Sequence, residues 1–139
     1  MEVRTYEQGD DIHVEIETPV GTLRQVKRRS HVGNTEFLIE HPLKTEEDFK
    51  IQLWIEERTR FVVDLGPVRD HLAGDGSEGL SIGMLIPRDK SAYQSLVEHH
   101  VGTEELVYAL ADYPKTVEAL WEAMVRNDLQ AAQLAMETG

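Results

Sequence analysis

Apolar and polar residues alternate through the first thirty positions of the chain. In "DIHVEIET", Ile12, Val14 and Ile16 share one face, while His13, Glu15 and Glu17 share the other. That period of two marks a strand covered on one side. "VRTYEQ" alternates in the same way, and the intervening "GDD" is a hairpin signal. A second turn follows at "PVG", where Pro19 presets one dihedral and Gly21 allows positive φ. "TLRQVKRRS" continues as a third strand. The pattern predicts an antiparallel meander over residues 2–29.

The period then lengthens. "HVGNTEFLIEHPLK" reads as a connector, and "TEEDFKIQLWIEER" opens with Thr45 as N-cap and acids through the first turn. A helix over about 46–58 follows, with Phe49, Trp54 and Ile55 among its apolar contacts. "VRDHLAG" has the form of a short helix closed by Gly74. "GLSIGMLIP" is a short apolar run between glycines and a proline, which predicts a buried strand over residues 80–86. "SAYQSLVEHH" and "TEELVYALADY" are helical, the second with Thr103 as N-cap. From Pro114 onward, Val117, Leu120, Trp121, Met124, Val125 and Ala132 recur at helical spacing. This predicts the longest helix, over 114–136, packed through Leu120, Trp121 and Met124. If Trp121 is core, Trp121→Ala costs about 3–5 kcal/mol.

The expected fold class is therefore α+β. An N-terminal antiparallel meander (1–30) is followed by a connector with one helix (31–79), then by one buried strand with C-terminal helices (80–139). The 139 residues suit a single domain. Acids outnumber bases 26 to 14, for a formal charge of −12. Such a field disfavours nucleic acid and anionic membranes as partners. With no cysteine there is no disulfide framework, thiolate nucleophile or cysteine zinc site. The N-terminus has no apolar leader and no apolar run is long enough to span a bilayer. These features predict a cytoplasmic protein.

The candidate chemistry is sparse. "GDGSEG" lacks the Lys-Ser or Lys-Thr of a phosphate loop and precedes a strand rather than a helix, so it reads as a turn. None of the six histidines (His13, His31, His41, His71, His99, His100) has a partner four residues away, and no bound metal or cofactor is expected. His99 and His100 read as a solvated helix end. Arg24, Lys27, Arg28 and Arg29 suit a charge-protected edge strand or, alternatively, an anion contact.

Five stretches in this order, "ETPVGTLRQV", "EHPLKTEEDFK", "WIEERTRF", "LAGDGSEGLSIG" and "YALADYPKTVEALWE", resemble the uroporphyrinogen decarboxylase-like superfamily. The closer branch is its methyltransferase type, which includes enzymes of corrinoid-dependent methyl transfer. The resemblance spans about residues 14–135. It implies an incomplete piece of a (β/α)8 barrel, with residues 80–86 as a barrel strand and the hairpin and helices before it as an insertion. The family's zinc ligands and arginine motif would lie outside this chain, so the resemblance implies no catalysis by the chain alone. It also implies a substrate-binding role for Tyr93, which follows Pro87; Arg88, beside Pro87 in the same mouth loop, is the other expected substrate contact. Tyr93 has a second reading as a packing aromatic on an amphipathic helix. The expected partners are a second copy of the chain or a complementing barrel chain. The alternative function is a stand-alone small-ligand-binding or oligomeric interaction module. Its pocket would lie between meander and helices, with Arg88 and the Arg24–Arg29 cluster as anion contacts.

Overall fold

A computed structural model describes residues 1–33, 35–62, 64, 66, 88 and 90–137. Four strands form one sheet: β1 (Glu2–Gln8), β2 (Asp11–Thr18), β3 (Gly21–Arg29) and β4 (Glu36–Glu40), in that order and antiparallel throughout. The first hairpin closes with Gln8 opposite Asp11, and Gly9 takes φ +65° in the turn. In the second, the Thr18 hydroxyl donates to the Gly21 carbonyl at 2.7 Å and accepts from the Val20 amide at 3.2 Å. The meander thus forms as its alternation predicts.

β4 lies inside the stretch read as a connector. Its five residues are too few, and too closely flanked by acids, for period two to declare itself. Its presence makes β3 an interior strand, paired on both sides, rather than the charge-protected edge the basic cluster suggested. The cluster is neutralised across the sheet instead. Arg24 pairs with Glu15 at 2.9 Å, Arg28 with Asp11 at 2.7 Å and Arg29 with Glu7 at 2.9 Å.

The helical layer begins with α1 (Glu46–Arg58). The Thr45 hydroxyl accepts from the Asp48 amide at 3.4 Å, and the Asp48 carboxylate accepts from the Thr45 amide at 2.8 Å. This reciprocal box satisfies two amides that helix geometry leaves unpaired. Phe49, Ile51, Gln52 and Glu56 form the buried face of α1, while Trp54 is half-buried beneath the Arg58 guanidinium, 4.4 Å from the ring centroid. Gly21 lets α1 approach the sheet. Its φ is +148°, and an added Cβ would collide with the Ile51 side chain.

α2 (Ala92–Ser95) runs directly into a π-helical segment, Leu96–Val101. Gly102, at φ +91°, ends it by donating to the Val97 carbonyl at 3.0 Å. α3 (Thr103–Asp112) starts with Gly102 at its cap, so Thr103 is the first helical residue and not the N-cap. α4 (Pro114–Glu137) is the longest element. Leu23, Leu43, Phe49, Leu96, Leu106, Leu120 and Met124 are the large side chains sealed between these layers.

One packing expectation is overturned. Leu120 and Met124 are fully buried, but Trp121 is 42% exposed. Consecutive helical residues diverge by about 100°, so Leu120 and Trp121 cannot face the same neighbour, and the buried stripe continues through Val117, Ala123 and Asn127. The predicted strand at residues 80–86 and the short helix in "VRDHLAG" lie outside the described residues. Among those described, every strand pair is antiparallel and no helix is long and apolar enough to cross a membrane.

Candidate functional site

Arg88 lies within an ion cluster between α1 and α4. Its Nε donates to Asp128 Oδ1 at 2.7 Å, and its terminal nitrogens donate to Glu56 at 3.2 and 3.4 Å and to the Met124 carbonyl at 3.5 Å. Glu56 also accepts from Asn127 Nδ2 at 2.7 Å and from Gln52 Nε2 at 3.1 Å. Burial alone would raise the Glu56 carboxyl, but the hydrogen bonds and charge of Arg88, with Asn127 and Gln52, outweigh it and hold the group below its ordinary value. Every named donor of Arg88 therefore has an internal acceptor, and the guanidinium acts here as a clamp between two helices.

His100 is near this cluster but not bonded to it. Its Nδ1 is sealed from solvent and has no hydrogen-bond partner among the described residues. Burial pushes the imidazole down to about 4, against the attraction of Glu56 and with the repulsion of Arg88, His99 and His41. His100 is thus a neutral, largely buried ring and not the solvated helix end that the sequence suggested. Only His99 of the pair is exposed.

A cleft of about 800 Å³ does open between the sheet and the helical layer, with Lys27, Phe37 and Leu38 on one wall and His41, Val97 and His99 on the other. Its charged groups largely satisfy one another. Lys27 pairs with Glu36 at 3.6 Å, Glu98 pairs with Lys90 and accepts from Gln94 at 2.7 Å, and His41 Nε2 lies 3.3 Å from the Glu98 carbonyl. Of the expected anion contacts only Lys27 lines this cleft; Arg88 does not, and Arg24, Arg28 and Arg29 are committed across the sheet. Among the described residues, no group of three or more histidines and acids is disposed to hold a metal ion.

Tyr93 stands elsewhere. It is 56% exposed and lines an apolar groove of about 390 Å³ with Leu96, Leu106, Leu110, Val117 and Trp121. Pro114 and Glu118 also line it, and Glu118 is the one charged residue among the described lining. The groove exists because α2, α3 and α4 converge on the buried side chains of Leu96, Leu106 and Val117, while Tyr93, Leu110 and Trp121 rise beside them. A volume of a few hundred Å³ with mostly apolar walls suits a small organic molecule. The structure therefore separates the two residues predicted for a common site. Tyr93 borders an open groove, and Arg88 is enclosed among its own counter-ions.

Trp121 and Glu118 escaped the sequence reading as site residues. The available signal was the breadth of the apolar pattern on α4: Leu120 and Trp121 adjacent means that more than one face is apolar. No family model, curated protein or solved structure matches this chain.

Proposed function

We propose that the chain is a small-ligand-binding module whose site is the groove between α2, α3 and α4. One observation carries this reading: large apolar side chains from three helices border a single concavity that none of them fills. Tyr93 at 56%, Leu110 at 43% and Trp121 at 42% exposure flank buried Leu96, Leu106 and Val117. Covering such side chains is worth roughly 25 cal/mol per Å² of apolar surface removed from water. The ligand class is an organic molecule with an apolar body. Titration with 1-hexanol, followed by amide shifts in NMR, is the direct test. Saturable shifts clustered at Tyr93, Leu110, Val117 and Trp121, lost in Trp121→Ala, are expected. Saturable shifts elsewhere, or none, would remove the site.

A second reading is self-association through the same side of the molecule. Trp121, Val125, Leu129, Ala132 and Met136 recur at helical spacing along α4, and Leu129 and Met136 are 66% and 73% exposed. A second copy of the chain, or a complementing barrel chain of the kind the family resemblance implies, would cover that stripe. Sedimentation across a range of concentrations tests this, with Leu129→Lys expected to give a monomer.

A further inference from the structure

Resting on the groove as the binding site, we infer that its ligand is an organic cation: an alkylated ammonium group carrying an apolar tail. The inference comes from what stands around the opening. Trp121 and Tyr93 present aromatic side chains, and aromatic faces attract cations through their quadrupole, indole most strongly. Among the described residues Glu118 is the one charged member of the lining, and its carboxylate makes no hydrogen bond or ion pair with any of them. The rest of the lining is hydrocarbon, from Leu96, Leu106, Leu110, Pro114 and Val117. Two aromatics with an unpaired carboxylate beside an apolar floor match a ligand with a diffuse positive head and a hydrophobic body.

Charge points the same way. Among the described residues no cationic side chain lines the groove, and the chain carries a formal charge of −12. An anionic ligand would meet Glu118 with no compensating cation among the described lining residues. A neutral one would leave the carboxylate unused. A compact, strongly hydrated ammonium would gain little from the hydrocarbon floor, whereas an alkylated one loses less hydration on entering it. The chain already contains one such contact, with the Arg58 guanidinium over the Trp54 ring.

Three probes sharing one six-carbon tail separate this inference from the reading on which it rests. They are hexyltrimethylammonium, 1-hexanol and hexanoate, titrated into the full chain and followed by calorimetry and amide shifts. An exposed cation–π contact and a solvent-exposed carboxylate are each modest. Together they should make the cation bind about tenfold more tightly than the alcohol, with hexanoate weakest. Glu118→Gln lies on the surface and should keep the fold. It should weaken the cation about threefold and so shrink the cation's preference over 1-hexanol, and Trp121→Ala should weaken both. Equal affinity for cation and alcohol, with both lost in Trp121→Ala, would overturn the cation inference and leave the groove as a neutral apolar site. Tighter binding of hexanoate would overturn it too. Absence of saturable binding by all three would overturn both the inference and the site.

Discussion

Replacing Arg88 by methionine removes one charge from the centre of the fold while keeping an aliphatic chain in its place. The Arg88 and Glu56 side chains are 15% and 8% exposed, and Asp128 is 14% exposed. Without the guanidinium, Glu56 keeps Asn127 and Gln52 but lies near Asp128 with no cation between them. Removing one partner of a buried ion pair costs about 3–5 kcal/mol, mostly from the charge left behind. Domains of this kind have roughly 5–15 kcal/mol of total stability, so the variant should fold only marginally. With a urea dependence of about 1–3 kcal/mol per molar, its unfolding midpoint should fall by at least about 1 M. The pH dependence identifies the cause. In the native chain the Glu56 carboxyl sits below its ordinary value, so its contribution is present above the unfolded pKa and is lost as pH falls through the folded one. In Arg88→Met burial acts with less opposition and favours the protonated form. Acidification from pH 7 to 5 should therefore narrow the gap between variant and native chain. Glu56→Gln in the Arg88→Met background should recover part of the loss. A single variant within about 0.5 kcal/mol of native, the scatter of neutral surface changes, would refute the reasoning. So would a gap that widens with acid.

Four further outcomes follow from the packing and titration of single residues. His100 is held neutral with its pKa at about 4, against about 6.5 when unfolded, so stability should decline as pH drops from about 6.5 towards 4; His100→Leu should flatten that part of the pH profile in urea melts. Leu120→Ala should cost about 2–5 kcal/mol, because Leu120 is fully buried. Trp121→Ala should cost well under the roughly 3–5 kcal/mol of a core aromatic, since the ring is 42% exposed; parity between the two variants in the same melts would reverse this assignment. Gly21→Ala should destabilise by at least about 1 kcal/mol, because the residue sits at φ +148° with Ile51 against it, and a neutral result would mean that α1 can move away from the sheet.

Local pattern and composition made much of the fold legible before any coordinates. Alternation in "DIHVEIET" and the turn chemistry of "PVG" fixed β2, β3 and the hairpin between them, because strand period and turn dihedrals are properties of neighbouring residues. The same holds for the Thr45–Asp48 capping box and for the extent of α4. Tertiary structure decided what depends on residues distant in sequence. β4 became visible only as the partner of β3, and that pairing turned a supposed edge strand into an interior one. Arg88 looked like a ligand contact because its neighbours along the chain say nothing of Glu56 and Asp128, which α1 and α4 bring to it. His100 looked solvated because burial is set by what packs over a helix, not by the helix itself. Periodicity locates an apolar face only to within about one residue's rotation of 100°, and only the packing of α4 against its neighbouring helices, α1 foremost, shows on which side of that margin the Trp121 indole falls. The groove belongs wholly to this second class. Tyr93, Leu110 and Trp121 lie on three separate helices, and no spacing along the chain records that those helices converge.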